Sequence, residues 1–324
     1  MKIWKITFLS LALLLLILIW IFVFGINSNQ PGQFFNKNSN AIWIEHKWVE
    51  EDISEKEISD LVFKLSEYQF DTVFVHSGPL KADGTIDEQT YKNAERFLTL
   101  ARKYNEEIKY QAWLGQVRSN IDLSDPFVRG NIVDQAVILT KMIGFDGVHY
   151  DIEPVWDGDL DFISLLKETK EVLKDEKIIS VALAEFIPTY VIKTLGNFYE
   201  FENYNSETNY KNVGEYADQI VVMVYDTSIS KSWLYRFLVK EQCIWVSRLY
   251  KNKDVFIAIP SYDEVTEAFD PQIENIENGL RGIISGLNNF RSRERNFKGV
   301  AIYAYWTTSE EEFETYKNLW VKKG

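Results

Sequence analysis

The 324-residue sequence predicts an α/β fold, a (β/α)8 TIM barrel preceded by one N-terminal transmembrane helix. Eight short apolar runs rich in β-branched and aromatic residues recur along the chain, separated by stretches with apolar residues at three- and four-residue spacing. The runs are typical of buried strands and the stretches of amphipathic helices. Regular alternation of the two predicts a parallel sheet. Eight such units over about 285 residues are typical of a single α/β barrel.

Each of the eight units can be located from its pattern. The predicted strands lie at 41–49, 71–77, 108–115, 147–153, 178–186, 219–226, 255–262 and 299–307. The predicted helices lie at 55–68, 87–104, 126–143, 160–173, 231–249, 271–290 and 310–320. The fifth connection is less regular, because residues 188–195 are followed by a Tyr- and Asn-rich stretch up to Tyr210. That composition predicts a surface loop before a short helix.

The first 40 residues differ in composition from the rest. In residues 6–24 only two residues are polar, and an apolar run of this length can span a membrane as a helix. Two lysines precede the run, which favours a cytoplasmic N-terminus and an extracellular barrel. A cleaved signal peptide is the alternative, although its apolar stretch is usually shorter. The sequence therefore predicts a single-pass cell-membrane protein with an anchor at 1–25, a flexible polar tether at 26–40 and the barrel at 41–324.

The composition limits the classes of partner. Asp and Glu number 48 against 35 Lys and Arg, so the chain carries a formal net charge of −13 at pH 7. A field of that sign argues against nucleic acids and anionic lipid surfaces, and it fits a neutral or weakly charged substrate. The single cysteine, Cys243, cannot form an internal disulfide and lies in an apolar helical stretch. We expect a monomer that needs no cofactor.

A TIM barrel places its active site at the C-terminal ends of the strands. The polar residues that close the apolar runs are therefore the candidates. They are Glu45, His46, His76, Gln116, Asp151, Glu153, Glu185, Tyr225, Asp226, Tyr262, Asp263 and Trp306. His46 and His76 could join a carboxylate as metal ligands, but separated groups without a ligand spacing are a weak signal, and we expect no metal.

The predicted fourth strand carries the clearest functional pattern. Alternate residues of a strand share a face, so Gly147, His149, Asp151 and Glu153 project into the barrel while the residues between them face the helices. Two carboxylates on one face of a partly dry mouth do not both ionise easily, and one pKa rises. A carboxyl that keeps its proton at neutral pH is what a glycosidic leaving oxygen requires. The alternative is a structural ion pair of these carboxylates with a buried lysine or arginine.

Three motifs carry a resemblance to a known family. Asp146-Gly-Val-His-Tyr-Asp-Ile-Glu153 resembles the Asp-Gly-x-Asp-x-Asp-x-Glu signature of family 18 glycoside hydrolases, the chitinases and endo-β-N-acetylglucosaminidases. Met223-Val-Tyr-Asp226 is similar to the family's Met-x-Tyr-Asp, and Ile259-Pro-Ser-Tyr262 is a looser match to its Pro-x-Tyr. Trp306 stands where the family keeps the tryptophan under the sugar. The resemblance covers the whole barrel in order.

The resemblance implies substrate-assisted hydrolysis of β-glycosidic bonds next to N-acetylhexosamine units, in a chitin-like oligosaccharide, an N-glycan or peptidoglycan. Glu153 would protonate the leaving oxygen, the substrate's acetamide would attack the anomeric carbon, and Asp151 would hold the acetamido N–H. Tyr225 would bind the acetamido oxygen, and Trp306 would underlie the sugar ring. The predicted substrate contacts are completed by His149, Asp226, Met223, Tyr262, Glu45 and Gln116.

Two positions depart from the family pattern. His149 stands where the family usually has the first aspartate of its acidic row, and a histidine there can donate a hydrogen bond to Asp151 or carry charge. Gln111-Ala-Trp-Leu-Gly-Gln116 replaces the family's Ser-x-Gly-Gly on the third strand. These departures bear on the identity of the glycan more than on the glycosidase chemistry.

Two other functions fit the same barrel. In a two-carboxylate retaining glycosidase, Glu153 would be the acid and Asp263 or Glu264 the nucleophile, with the carboxyl groups about 5–5.5 Å apart. A barrel of this family can also survive as a non-catalytic sugar-binding module, usually after losing its acid, whereas Glu153 is present here. Hydrolysis that disappears in Glu153→Gln would separate the enzyme from the binding module.

Overall fold

The chain folds into a closed parallel barrel of eight strands with helices around it, as the sequence predicts. The structure is a computed structural model that describes residues 28–195 and 204–322, together with residues 8, 11–15 and 17. Each barrel strand pairs with its neighbour in sequence, and the last pairs with the first through Ala41 and Ala301. Closure leaves the barrel without a free sheet edge, and it brings the C-terminal ends of all eight strands to one mouth.

The barrel strands and their helices alternate regularly. The strands are β1 (Asn40–Ile44), β2 (Phe70–His76), β3 (Lys109–Val117), β4 (Gly147–Glu153), β5 (Ile178–Leu183), β6 (Gln219–Met223), β7 (Asp254–Pro260) and β8 (Phe297–Tyr303). The helices are α1 (Glu55–Glu67), α2 (Ala94–Tyr104), α3 (Pro126–Val137), α4 (Leu160–Leu173), α5 (Glu207–Tyr216), α6 (Ser232–Leu249), α7 (Ile276–Leu287) and α8 (Glu310–Leu319). Short helical turns lie at Gly32–Phe35, Lys47–Glu50, Glu88–Tyr91, Arg118–Asn120, Thr189–Leu195 and Glu294–Asn296, and a π-helical segment at Ile138–Ile143 extends α3.

Several predicted boundaries differ from the structure, and at two places the type of element differs as well. The first strand was expected to reach residue 49, but β1 ends at Ile44 and residues 47–50 form a helical turn. This turn buries the consecutive apolar residues Trp48 and Val49 together, whereas a strand would send them to opposite faces. In the fifth connection the predicted loop contains a helix, Thr189–Leu195, and a two-residue parallel ladder, Phe186–Ile187 with Asn205–Ser206.

The segment before the barrel packs against it where it is described. The predicted tether includes residues 28–39, and the backbone N–H of Ser28 donates to the Asn288 carbonyl at 3.0 Å. Gly32 lies so close to the carbonyl of Leu319 that a Cβ atom would be 2.2 Å from that oxygen. Phe35 is buried. The described part of this segment is therefore held at the outer surface of the last two barrel helices.

The predicted transmembrane helix cannot be compared with the structure over its full length. Most of residues 6–24 lie outside the described residues. Among those that are described, no helix is long and apolar enough to cross a membrane. The membrane anchor and the extracellular location therefore stay predictions, as does the monomeric state.

Two layers of apolar packing position the mouth. An outer layer lies between the sheet and the helices, where Tyr150 of β4 shares a hydrogen bond with Thr169 of α4 at 2.8 Å. An inner layer fills the barrel. Its members are Ala41, Trp43, Phe74, Trp113, Ala182, Val221, Met223, Phe256, Ala258, Ala301 and Ala304. Because large rings on some strands meet alanines on others, the interior is filled, and polar side chains beyond this layer line the mouth.

Candidate active site

The side chains of β4 alternate between the two layers, as predicted. Val148, Tyr150 and Ile152 are buried in the outer layer. His149 projects inward, where its ring packs against Phe74 of β2 with centroids 3.8 Å apart. The same alternation carries Asp151 and Glu153 into the barrel, toward its C-terminal mouth.

His149 forms part of the buried floor of the site. Its Nδ1 atom lies 2.9 Å from the hydroxyl of Ser180, and its Nε2 atom has no hydrogen-bond partner among the described residues. Burial lowers the pKa of His149 to about 3, so the ring is neutral. The hydrogen bond that a histidine at this position could donate to Asp151 is not present. The side chain is fully covered by the residues around it, and contact between His149 and substrate stays a prediction.

Asp151 is held by a residue that the sequence analysis did not select. The indole N–H of Trp113, on β3, donates to Oδ2 of Asp151 at 2.8 Å. The other oxygen, Oδ1, is buried and has no hydrogen-bond partner among the described residues. Burial raises the pKa of Asp151 above its ordinary value, and the hydrogen bond from Trp113 opposes this rise. The carboxyl group therefore has one fixed oxygen and one uncommitted oxygen.

Glu153 ends β4 and lies in the mouth, where its side chain keeps contact with solvent. Partial burial by the surrounding protein raises its pKa, and the negative charges of Asp151, Asp226 and Glu185 raise it further. Asp263 and Glu264, the alternative nucleophiles, are not among the carboxylates that shift this pKa. A raised pKa favours a protonated Glu153 near neutral pH, which is the state of a general acid.

The carboxyl groups of β4 are not members of an ion pair. Within the described residues, neither Asp151 nor Glu153 has a lysine, arginine or histidine nitrogen within 4.0 Å. The alternative of a structural ion pair is therefore wrong for this part of the chain. Without a neighbouring cation, burial raises the pKa of both carboxyl groups, and the charge of Asp151 raises that of Glu153 further.

Residues after β6 and β7 form a second wall of the site. The hydroxyl of Tyr262 donates to Oδ1 of Asp226 at 2.8 Å. Asp226 has a positive φ of 57°, and the buried carboxylate of Glu274 holds the loop that follows by accepting from the backbone N–H of Thr227 at 3.1 Å. Burial and the charges of Glu153 and Asp151 raise the pKa of Tyr225 well above its usual value. Tyr225 therefore stays a hydrogen-bond donor.

An aromatic residue missed by the sequence analysis lies at the centre of the mouth. Tyr303, the last residue of β8, stacks on Tyr225 with centroids 5.8 Å apart and meets Trp113, Tyr262 and Trp306 at 5.7–6.1 Å. Burial raises its pKa to about 12, and the charges of the mouth carboxylates contribute. Trp306, predicted to underlie the sugar, is 40% exposed and lies farther out.

The signal for Tyr303 was present in the sequence. It follows Ala301 by two residues, so it shares the inward face of β8, and it closes the strand. The sequence predicts a strand that extends to residue 307, which would place Trp306 near its end, whereas β8 ends three residues earlier, at Tyr303. Trp306 nonetheless remains in the site, with its ring nearly parallel to that of Trp113 at a centroid distance of 6.4 Å.

Two predicted contacts are not directed into the mouth. The side chain of Gln116 faces the neighbouring loops, where it donates to the Leu80 carbonyl and accepts from the backbone N–H of Val117. It lies on the opposite face of β3 from Trp113, which explains this orientation. Met223 is buried in the inner layer. Gln116 therefore contacts the loops outside the mouth, and Met223 packs in the apolar layer below it.

The remaining candidates lie around the rim. Glu45 follows β1 and forms an ion pair with Lys47. His46 and His76 approach each other, with their Nδ1 atoms 3.2 Å apart, and burial lowers the pKa of His76 to about 4. In residues 28–195 and 204–322, no group of three His, Cys, Asp or Glu side chains is arranged to hold a metal ion.

Similarity to known proteins covers most of the barrel. Residues 46–319 match the family model described as Glycosyl hydrolases family 18. The structure is similar to the Bacillus cereus spore cortex-lytic enzyme SleL, with a TM-score of 0.58 and 14% identity over 87% of this chain and 74% of that one. It is also similar to the Ostrinia furnacalis Group IV chitinase, with a TM-score of 0.57 and 13% identity over 86% of this chain and 98% of that one.

A third structure has a bound sugar. It is a plant class V chitinase mutant from Cycas revoluta in complex with (GlcNAc)3, with a TM-score of 0.57 and 13% identity over 86% of this chain and 99% of that one. No curated protein matches the chain. Identities this low establish a shared fold, whereas the family match includes the strand that carries Asp151 and Glu153. The chain belongs to glycosyl hydrolase family 18, as a divergent member, and is a glycoside hydrolase.

Proposed function

We propose that this hydrolase cleaves β-glycosidic bonds next to N-acetylhexosamine units by substrate-assisted, retaining catalysis with Glu153 as the acid and base. The observation that carries the proposal is the pair of carboxyl groups on one face of β4, which have raised pKa values and no ion-pair partner among the described residues. Such a pair supplies a proton at neutral pH beside a group that can stabilise positive charge.

The proposed first step breaks the bond to the leaving sugar. Glu153 gives its proton to the glycosidic oxygen while the substrate's acetamide oxygen attacks the anomeric carbon, so that an oxazolinium ring forms as the C–O bond breaks. Oδ1 of Asp151 accepts the acetamido N–H and stabilises the positive charge. In the second step, ionised Glu153 removes a proton from water, the water oxygen attacks the anomeric carbon, and the ring opens with retention.

The acetamide also needs a donor for its oxygen, and Tyr225 is suited to that role. Its phenol keeps its proton because burial and nearby carboxylates raise its pKa. Asp226 lies beside it in sequence and is oriented by the hydroxyl of Tyr262. Tyr303 offers a ring face for the apolar side of the sugar, and Trp306 extends that aromatic surface toward solvent.

The substrate class follows from the acetamide requirement. Two of the similar chitinase structures contain allosamidin or (GlcNAc)3, and SleL is described as spore cortex-lytic. We infer that this chain acts on a glycan that contains N-acetylglucosamine, such as a chitin-like oligosaccharide, an N-glycan or peptidoglycan. No cation pairs with the β4 carboxylates in the described residues, which is consistent with a neutral ring at the point of cleavage.

The test compares acetylated and deacetylated substrates. The full chain, purified in mild detergent because of residues 6–24, is incubated with N-acetylglucosamine oligomers and with glucosamine oligomers of equal length. We expect cleavage of the acetylated oligomers alone, and a loss of roughly 10²–10⁴-fold in Glu153→Gln. Equal cleavage of both substrates would contradict the substrate-assisted route. Binding without cleavage in both proteins would contradict the enzyme itself.

The two exposed carboxylates after β7 provide matched controls. We expect Asp263→Asn and Glu264→Gln to keep substantial activity, because neither charge acts on Glu153. If either substitution abolishes hydrolysis and Glu153→Gln does also, the two-carboxylate mechanism replaces the one proposed here.

We also propose that residues 6–24 anchor the barrel at the outer side of a cell membrane. The support is the length and apolar character of this run and the lysines that precede it. After alkaline carbonate washing, we expect the full chain in the membrane fraction and a variant lacking residues 6–24 in the supernatant. Release of the full chain by carbonate would contradict the anchor.

A further inference from the structure

We propose that Trp113 is a positioning residue that holds the catalytic carboxylate of Asp151 through its indole N–H, a task that His149 does not perform in this protein. The inference rests on the proposed function, in which Asp151 supports the acetamide. Its basis is the hydrogen bond from Nε1 of Trp113 to Oδ2 of Asp151 at 2.8 Å.

The register between β3 and β4 makes this contact possible. Trp113 stands opposite His149, and Gly115 stands opposite Asp151. The indole therefore passes over Gly115 to reach the carboxylate of Asp151, which lies two residues beyond His149 on β4. A Cβ atom at position 115 would lie 3.1 Å from Nε1 of Trp113, so the glycine leaves the space that the ring occupies.

The indole is also held in place by its neighbours. The ring of His76 lies 4.3 Å from that of Trp113, and Tyr303 and Trp306 contact it from the mouth at 6.1 and 6.4 Å. A donor enclosed on several sides cannot easily rotate away from Asp151. Its orientation is thus fixed by packing before substrate arrives.

His149, which lies below Asp151 in the barrel, makes its contacts with other residues. His149 shares its Nδ1 hydrogen bond with Ser180 and stacks on Phe74. The titratable groups that interact electrostatically with the Asp151 carboxylate are Glu153 on the same strand, Tyr225 after β6 and Tyr303 at the end of β8. With Oδ2 bound to Trp113, Oδ1 is the oxygen that remains for the acetamido N–H. Donation by the indole favours the ionised form of Asp151, which is the form that stabilises an oxazolinium.

The kinetic test uses a matched pair of tryptophan substitutions. Trp113→Phe removes the N–H and keeps a ring, whereas Trp43→Phe removes a buried indole N–H of the same inner layer that has no hydrogen-bond partner among the described residues. In Trp113→Phe we expect kcat to fall about tenfold or more with little change in KM. We expect the acid limb of the profile of kcat/KM against pH to move to higher pH, because ionised Asp151 loses its donor. Trp43→Phe should leave that limb unchanged.

A spectroscopic test does not depend on activity. Among the resonances of the ten tryptophan indoles, that of Trp113 is identified by its absence from Trp113→Phe. We expect its ¹H–¹⁵N shift to change with pH as Asp151 titrates, and this dependence to vanish in Asp151→Asn. A pH-independent resonance, or an unmoved acid limb in Trp113→Phe, would overturn the inference. A titrating resonance in a protein that cleaves no acetylated glycan would instead contradict the proposed function alone.

Discussion

The carboxylates just before β4 and β6 pair with cations, whereas those at the C-terminal end of β4 lie near other carboxylates and aromatic rings. Asp146, just before β4, accepts from Arg102 at 3.0 Å, and Asp218, just before β6, pairs with Lys170 at 3.1 Å. Each also accepts a backbone N–H from the preceding strand. At the mouth, Glu153 lies among carboxylates that raise its pKa. The same residue type therefore pairs with cations at one end of the barrel and has a raised pKa at the other, where we propose that it acts in catalysis.

The carboxyl groups at the mouth lower the stability of the folded chain. A carboxylate that is paired or hydrogen-bonded stabilises the folded chain when ionised, whereas a carboxyl with a raised pKa opposes ionisation of the folded state. Neutralising a carboxylate should thus have a different effect at each end. At the mouth it should reduce activity, and at the N-terminal ends of the strands it should reduce the free energy of unfolding.

The largest expected effect is on turnover. Asp151→Asn should lower kcat by about 10²–10³-fold, because a neutral amide cannot stabilise the oxazolinium as a carboxylate does. Asp218→Asn, at the opposite end, should leave kcat close to the parent value. Steady-state kinetics on an acetylated oligomer measure both. Comparable losses in the two variants would show that the ends are not functionally distinct.

The next effect is on the free energy of unfolding. Asp146→Ala removes one of the two acceptors of the Arg102 guanidinium, which keeps the Gly144 carbonyl, and it removes the side-chain acceptor of the Tyr110 backbone N–H, so it should cost about 1–3 kcal/mol. Glu153→Gln should leave stability unchanged or increase it, because the folded chain no longer has to hold a proton on a carboxyl group whose pKa burial and its neighbours raise. Denaturant titrations of both variants and the parent provide the comparison. A loss in Glu153→Gln as large as that in Asp146→Ala would contradict it.

A smaller effect concerns the pH dependence of stability. Burial raises the pKa of Glu274 from 4.5 to about 7. Between these values the unfolded chain loses the proton and the folded chain keeps it, so stability falls as pH rises, on the order of 1–3 kcal/mol in total. In Glu274→Gln this fall should be smaller, while Glu267→Gln, an exposed residue of the same loop, serves as the control. Three parallel curves of unfolding free energy against pH would refute the assignment.

The smallest effect distinguishes aromatic residues at the two ends. Tyr303→Ala should raise KM about tenfold, since it removes the central ring of the mouth, and Trp306→Ala should raise it less because Trp306 is partly exposed. Tyr316, which stacks on Phe70 at the start of β2 with centroids 5.2 Å apart, should affect stability and not KM when replaced by alanine. A larger rise of KM in Trp306→Ala than in Tyr303→Ala would return the sugar-binding role to Trp306.

Much of the barrel could be predicted because its patterns are local. The bounds of β4 and α4 agree with the prediction residue for residue, since strict alternation marks the strand and regular apolar spacing marks the helix. The inward projection of Asp151 and Glu153 follows from the same alternation. The resemblance to the family also rests on motifs of consecutive residues, each at or near the end of a single strand, and the family match agrees with it.

The contacts between strands could not be predicted in the same way. The hydrogen bond between Trp113 and Asp151 depends on the register of β3 against β4 and on the space left by Gly115, which no single-strand pattern contains. The burial of His149 depends on rings from other strands. The central position of Tyr303 depends on where β8 ends and the chain turns.

The protonation of Glu153 tests the central claim most directly, because it requires no knowledge of the glycan. The side-chain carboxyl carbons of glutamate are labelled with ¹³C in the parent and in Glu153→Gln, and the signal missing from the variant is followed with pH. We expect this signal to titrate well above the ordinary glutamate pKa of about 4.3. We also expect its midpoint to fall in Asp151→Asn, where the repelling charge is gone. A midpoint at the ordinary value in the parent would contradict Glu153 as the proton donor of this hydrolase.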